Sequence, residues 1–273
     1  MQHRNITFIG AGNMARAIIA GLVAGGYPAK MISVCAPSAK NRDALAAEFG
    51  VISSDDNNAQ AQKAGVVVLA VKPQLMADVC QALRNNVDFT DKLVLSIAAG
   101  VQVSRFYALL GDKLNLVRIM PNTPSLVGKG MSGLYAPEQV SQNDRNFTAS
   151  LMKAVGKVCW VNDEDDINNV IAAAGSAPAY FFLFMEAMQQ EAERLGFDSE
   201  TARLLVQQAA SGATALVEAN PQLPLSVLRE QVTSKGGTTA EAIRVFNEQH
   251  LSATVASAMQ AAIKRAQEME KLF

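Results

Sequence analysis

The chain has 273 residues, with 24 Lys and Arg against 25 Asp and Glu, a formal net charge of −1. That balance gives no basic field for nucleic acid and no polybasic segment for an anionic membrane, so a small-molecule partner is expected. The length suits two domains better than a single core.

The amino end, Met1-Gln2-His3-Arg4, leads directly into a strand with no signal-peptide apolar region. No apolar run reads as long enough to span a bilayer, so no membrane partner and a cytoplasmic location are expected. Cys35, Cys80 and Cys159 are odd in number and lack Cys-x-x-Cys spacing, which fits reduced thiols better than disulfides or zinc. The two histidines, His3 and His250, lie in no metal or nucleophile pattern, and no metal site is expected.

In chain order, β-rich runs at 6–9, 32–35, 66–71, 93–97 and 116–119 alternate with helical stretches at 14–24, 42–49 and 76–83. Runs such as Val66-Val-Val-Leu-Ala-Val71 are apolar without alternation, as in a parallel sheet covered on both faces. Further strands at 132–136 and 157–161, around a helix near 146–155, extend the sheet at its edge. The pattern is an α/β, Rossmann-like doubly wound sheet over residues 1–162.

The first strand runs into Gly10-Ala11-Gly12-Asn13-Met14-Ala15, the Gly-x-Gly-x-x-Ala form of the dinucleotide loop. Gly10 permits the tight turn, Gly12 lets a pyrophosphate approach the backbone, and Ala15 keeps the helix close to the sheet. At the end of the second strand, Cys35-Ala36-Pro37 offers no carboxylate for ribose hydroxyls. Ser38, Lys40, Asn41 and Arg42 follow instead, suiting a 2′-phosphate and favouring NADPH, with NADH possible. The remaining strands end in the turns Ala70-Val71-Lys72-Pro73, Ala98-Ala99-Gly100 and Met120-Pro-Asn122-Thr-Pro124, which are expected around the nicotinamide.

Beyond the acidic cluster Asp163-Glu164-Asp165-Asp166 the texture is helical, and an all-helical domain is placed at 163–273. Ser176 is expected to cap a helix running to Gly196, Asp198 to start another ending before Pro221, and two more to follow to Leu272. Tyr180-Phe-Phe-Leu-Phe-Met185 is apolar on every face and calls for cover by a second copy of the chain. Val232-Thr-Ser-Lys-Gly236-Gly237-Thr238-Thr239 sets two glycines and two hydroxyls at the mouth of a helix, a cradle for a small anion. Thr238 and Glu241 have capping-box spacing, which would leave Thr239 at the first helical position, facing a ligand.

A hydride donor in one part and a carboxylate cradle in the other imply reduction of a small carboxylated C=N or C=O compound. Carbonyl reduction calls for a proton donor at the oxygen, and the second half offers few candidates near a motif, Lys235 and Tyr180, neither of them an obvious acid, which favours an imine. A hydroxyacid dehydrogenase of the same architecture would carry Lys and Asn on the helix from Ser176, and neither occurs there.

The motifs Gly10-Ala-Gly-Asn-Met-Ala15, Ala70-Val-Lys-Pro73, Ser96-Ile97-Ala98-Ala99-Gly-Val101, Met120-Pro-Asn-Thr-Pro124, Gly175-Ser-Ala-Pro-Ala-Tyr180 and Val232–Thr239, in this order, resemble the pyrroline-5-carboxylate reductases. The resemblance implies NAD(P)H-dependent reduction of 1-pyrroline-5-carboxylate to L-proline by a homodimer with interlocked helices, often built further into a decamer. It places Ile9 to Met14 on the pyrophosphate, Ala36 and Asn57 near the adenosine ribose, Ala70 to Pro73 along the cofactor, and Ile97 to Ala99 near the nicotinamide. It gives Thr239 the pyrroline nitrogen, the backbone near Gly237, Thr238 and Thr239 the carboxylate, and Glu164 and Glu218 positions near the substrate. Two departures stand out: Lys235 where the family has Pro, and Ala177 where it has Gly.

Overall fold

A computed structural model describes residues 3–112 and 114–272. The chain divides into two compact units: residues up to Ser176 together with those from Ala262 on, and Ala177–Ala261.

The first unit is a sheet covered on both faces. Its elements are β1 (Ile6–Ile9), α1 (Asn13–Ala24), β2 (Ile32–Cys35), α2 (Ala39–Phe49), β3 (Ile52–Ser54), α3 (Asn57–Lys63), β4 (Val66–Leu69), α4 (Met76–Arg84), β5 (Leu93–Ser96), α5 (Val103–Leu110) and β6 (Asn115–Met120). Then come β7 (Gly130–Tyr135), α6 (Gln142–Lys153), β8 (Gly156–Trp160) and α7 (Asp166–Val170). The sheet order is β3-β2-β1-β4-β5-β6-β7-β8. All neighbours are parallel except β6 and β7, which are antiparallel.

The apolar runs read as doubly covered strands are so. In β1, β4 and β5, Ile6, Phe8, Val66, Val68, Leu93 and Leu95 join a core with Ile18, Ile19 and Leu22 of α1 and Phe147 and Leu151 of α6. Ile9, Val67, Leu69 and Val94, pointing the other way, join a second core with Cys80 and Leu83 of α4 and Phe106 of α5. Successive strand residues face opposite sides, so both sets must be apolar once helices cover both faces.

Three short elements differ from the expectation. β3, α3 and α5 have no counterpart among the expected elements: β3 is a three-residue edge strand of Ile52, Ser53 and Ser54, and α3 begins at an Asx cap, Asp56 accepting from Ala59 N–H at 2.9 Å. Polar composition hides β3 and α3 from a periodicity reading, and brevity alone hides α5, whose Val103, Phe106 and Leu110 are buried. The helix expected to begin at Ser176 begins earlier, because α7 passes through a π-turn, Ile171–Gly175, directly into α8 (Ala177–Arg194). Ser176 N–H donates to Ile171 C=O at 2.7 Å and caps nothing.

The continuous helix Asp166–Arg194 is long and apolar enough to cross a membrane by length and composition, contrary to the expectation of no such run. Ser176, with Pro178 close behind it, reads as a helix start, which splits the stretch in two; the π-turn Ile171–Gly175 instead carries the helix through.

The second unit holds α8, α9 (Ser199–Ala219), α10 (Leu225–Gln231), α11 (Thr238–Glu248) and the first part of α12 (Leu251–Glu270). Asp198 caps α9 as expected, accepting from Thr201 N–H at 2.9 Å. α10 was not anticipated. Phe184 and Phe246 meet with ring centroids 5.8 Å apart. Phe181, Phe182, Leu183 and Leu204 are all more than 60% exposed, so this unit carries an apolar surface of its own.

Candidate active site

The cofactor-binding candidates of the first unit gather at one edge of the sheet, beyond the carboxyl ends of the parallel strands. Gly10 N–H donates to Cys35 C=O and Ala70 N–H to Ile9 C=O, both at 2.8 Å, which stitches the turns after β1, β2 and β4 together. Gly10 has φ +116°. Gly12 caps α1 through its backbone alone, with no side-chain cap and no acidic residue in the first turn. A Cβ on Gly12 would meet nothing within 4 Å. Uncapped helix amides above open space fit a pyrophosphate, so the residues present suit a dinucleotide.

A cavity beside this loop is lined by Ala11, Gly12, Asn13, Arg16, Asn41 and Glu48 among others. Arg16 was missed in the sequence reading. It pairs with Glu48 and its guanidinium lies 5.6 Å from the Phe49 ring centroid. Its position one turn into α1, on the side of the glycine loop, was the available signal.

Around the β2–α2 turn, Arg42 is folded back: its Nη1 donates to Ala36 C=O at 2.7 Å and to Pro37 C=O at 3.0 Å. The guanidinium therefore shapes the turn that Ala36 and Ser38 occupy. Ser38 precedes α2 without capping it, leaving Ser38, Lys40 and Asn41 exposed. Asn57 is the first residue of α3. Cys35 at this turn is buried, and burial, then the nearby Asp56 carboxylate, push its thiol up to about 12; burial does the same for Cys80. Neither supplies a thiolate at neutral pH.

Lys72 is exposed, and Pro73 opens a short 3-10 turn, Pro73–Leu75. Ala98 is buried between the half-buried Ile97 and Ala99, and its N–H donates to Ser96 Oγ at 3.3 Å. Asn122 is buried, and its carboxamide is already engaged: Nδ2 donates to Ala174 C=O at 3.0 Å and Oδ1 accepts from Met131 N–H at 2.8 Å. The side chain thus ties the turn after β6 to β7 and to the π-turn.

Glu164 lies in the first unit, where its Oε1 accepts from Arg118 Nη1 at 2.9 Å and from Val103 N–H at 2.8 Å. Its carboxylate is thus engaged within this unit rather than left to solvent. Glu218 lies near the end of α9 in the second unit.

At α11 the capping box does not form. Gly237 occupies the cap position with φ −83° and ψ 168°, and no side chain caps the helix. Glu241 N–H donates to Gly237 C=O at 3.3 Å, while the Glu241 carboxylate pairs with Arg244 at 3.0 Å. The cause is the glycine turn: Gly236 takes φ +72°, and Gly237 N–H closes back on Ser234 C=O at 3.0 Å, starting the helix one residue early. Thr238 and Thr239 become its first and second residues, both exposed, with first-turn amides free of side-chain caps. The first turn of α11 thereby keeps more amide donors free of side chains than the capping box would have left.

Comparison with known proteins bears directly on this geometry. A family model described as pyrroline-5-carboxylate reductase dimerisation matches residues 164–269, and one described as NADP oxidoreductase coenzyme F420-dependent matches residues 5–100. The pyrroline-5-carboxylate reductase of Vibrio alginolyticus is 64% identical over 100% of both chains. The chain belongs to the pyrroline-5-carboxylate reductase family. A solved structure of such a reductase from Coxiella burnetii is 44% identical, with a TM-score of 0.94 over 98% of this chain and 99% of that one. That of Plasmodium falciparum pyrroline carboxylate reductase with NADP bound is 25% identical, with a TM-score of 0.86 over 99% of each chain. α8 lies within the dimerisation match, which supports self-association of the chain.

Proposed function

We propose that this member of the reductase family transfers hydride from NADPH to the C=N bond of 1-pyrroline-5-carboxylate, giving L-proline. The observation that carries the reading is the identity of 64% over the full length of both chains. When bound, the dinucleotide supplies the hydride. What the chain supplies is placement: the α1 amides behind Gly10 and Gly12 take the pyrophosphate, Ala36 and Asn57 border the adenosine ribose, and Ala70 to Pro73 run along the cofactor. Ile97 to Ala99 border the nicotinamide, with Asn122 holding the adjoining turn in place.

In the second unit, the α11 amides at Thr238 and Thr239 hold the carboxylate, drawn by the positive end of the helix. Thr239 Oγ bonds the ring nitrogen and Glu218 lies on the substrate side. An iminium accepts hydride without an enzymatic acid, so the reaction needs no general acid beside Thr239. NADPH is preferred over NADH on the strength of Ser38, Lys40 and Asn41 at the β2–α2 turn. The dimer assembles further into a decamer, and the three free cysteines fit a reducing cytoplasm.

The test is NADPH oxidation with pyrroline-5-carboxylate, its six-membered homologue and a 2-oxo acid. The five-membered imine is expected to give the highest kcat/KM. Thr239→Ala is expected to cost about 1–3 kcal/mol of transition-state binding, the scale of one buried hydrogen-bond partner. A folded Thr239→Ala protein with unchanged kcat/KM would falsify the role of that hydroxyl.

A further inference from the structure

Arg118 is the largest fully buried side chain among the described residues, at 1% exposure on β6. Two carboxylates flank it: Glu164 Oε1 lies 2.9 Å from Nη1 and Glu270 Oε1 lies 3.0 Å from Nη2. Each carboxylate is held in turn. Glu164 Oε1 also accepts from Val103 N–H at 2.8 Å, and Glu270 Oε2 accepts from Gln102 Nε2 and Asn168 Nδ2, both at 3.2 Å.

The cluster joins segments that the proposed reaction needs kept in register. Gln102 and Val103 close the loop that begins with Ile97, Ala98 and Ala99, the stretch read as the nicotinamide border. Arg118 stands two residues before the turn Met120-Pro121-Asn122. A buried ion cluster is a poor source of stability, since apolar or neutral side chains of similar size often serve as well. What a planar guanidinium fork supplies is fixed geometry.

We propose that Arg118, Glu164 and Glu270 form a positioning device for hydride transfer. Glu164 fixes the first amide of α5, and with it the far end of the loop 97–102. Arg118 fixes Glu164, and Glu270 balances Arg118 from the end of α12. Glu164 is thus a positioning residue rather than a contact to substrate. This rests on the reading of Ile97 to Ala99 as the nicotinamide border.

The experiment compares the wild-type protein with Glu164→Gln and with the neutral triple variant Arg118→Met, Glu164→Gln, Glu270→Gln, which leaves no buried charge unpaired. In both variants kcat is expected to fall about tenfold to hundredfold, the scale of small misplacements in hydride geometry. The deuterium isotope effect with 4-deuterated NADPH should rise, while KM for the imine and Kd for NADPH stay at wild-type values. A triple variant with wild-type kcat and isotope effect makes the cluster merely structural and overturns the proposal. So does a Glu164→Gln protein whose KM for the imine rises while hydride transfer is unchanged, because Glu164 then touches substrate. Fluorescence of bound NADPH without substrate separates this inference from the reaction itself. A nicotinamide emission that differs between wild type and Glu164→Gln supports it even if pyrroline-5-carboxylate is not reduced, and identical emission overturns it.

Discussion

Gly10 stands directly against Ala70: a Cβ at residue 10 would lie 2.4 Å from the Ala70 carbonyl oxygen, a backbone atom that cannot turn aside. With φ at +116°, residue 10 is also closed to other side chains on conformational grounds. Gly12, two residues on, faces open space. The two glycines of the loop therefore answer to different constraints, one internal and one external. Gly10→Ala is expected to lower Tm by several degrees, on the order of 2 kcal/mol or more of strain and overlap. Gly12→Ala should leave Tm unchanged and raise Kd for NADPH at least tenfold (about 1.4 kcal/mol), because the methyl occupies pyrophosphate space. Calorimetry and NADPH titration on the pair decide it; equal affinity in Gly12→Ala removes the loop from the cofactor site.

Asp144 anchors the amino end of the described chain. Its Oδ1 pairs with Arg4 Nη1 at 2.5 Å, and its Oδ2 accepts from Asn115 Nδ2 and Ser141 Oγ, both at 2.8 Å. Burial raises the pKa of this carboxyl, but the hydrogen bonds from Arg4, Asn115 and Ser141, with the Arg4 charge, outweigh it and leave the pKa below the ordinary value. A carboxyl depressed on folding contributes stability that is fully present above its unfolded pKa of about 3.9 and lost as pH falls through the folded value. Asp144→Asn is therefore expected to cost about 2 kcal/mol at pH 7, with the gap to wild type closing below about pH 4. A destabilisation by urea that is the same at pH 7 and pH 3 contradicts this.

How much of this was legible in the residues follows from which forces act locally. The strands 6–9 and 32–35 were placed to the residue because doubly covered parallel strands are mostly apolar; the two exceptions, Thr7 and Ser33, are buried and satisfy each other's hydroxyls at 2.7 Å. β3 and α3 escaped because an edge strand of Ile52, Ser53 and Ser54 and a short polar helix need no such composition. At Thr238 the spacing to Glu241 suggested a cap, yet the cap is decided by the backbone of Gly236 and Gly237, whose turn no side-chain pattern encodes. Glu164 drew attention as an acidic residue. Its partner Arg118 lies 46 residues earlier and its neighbour Glu270 lies at the far end of the chain, a pairing only the fold brings about.

Phe181 and Phe182 follow each other on α8 at 65% and 63% exposure, on a helix with no buried residue in the single chain. Each phenylalanine buried on association is worth roughly 1.5–3 kcal/mol, and in a two-fold interface every substitution counts twice. Phe181→Ser with Phe182→Ser is expected to convert the assembly to monomer at micromolar concentration while the first unit keeps its NADPH affinity. Sedimentation velocity reads the mass; an unchanged assembly places the interface elsewhere on the dimerisation segment.

Cofactor choice turns on the residues after Ala36, and the structure divides their labour. Arg42 spends its Nη1 on the carbonyls of Ala36 and Pro37 and lies 3.6 Å and 3.8 Å from the carboxylates of Asp43 and Asp55. It fixes the shape of the turn, so its removal should weaken NADPH and NADH alike. Ser38 and Asn41 are exposed and keep their donors for a ligand, and Asn41 lines the cavity shared with Gly12. Hydrogen bonds to a charged partner are worth about 1.5–3 kcal/mol, a factor of roughly ten to a hundred. Ser38→Ala and Asn41→Ala are thus each expected to cut the NADPH-to-NADH ratio of kcat/KM about tenfold by loss of NADPH activity alone. Arg42→Ala should lower both activities and leave the ratio near its wild-type value. Steady-state kinetics with the two cofactors separates these outcomes; a ratio that collapses in Arg42→Ala and holds in Ser38→Ala and Asn41→Ala assigns the 2′-phosphate to the arginine instead.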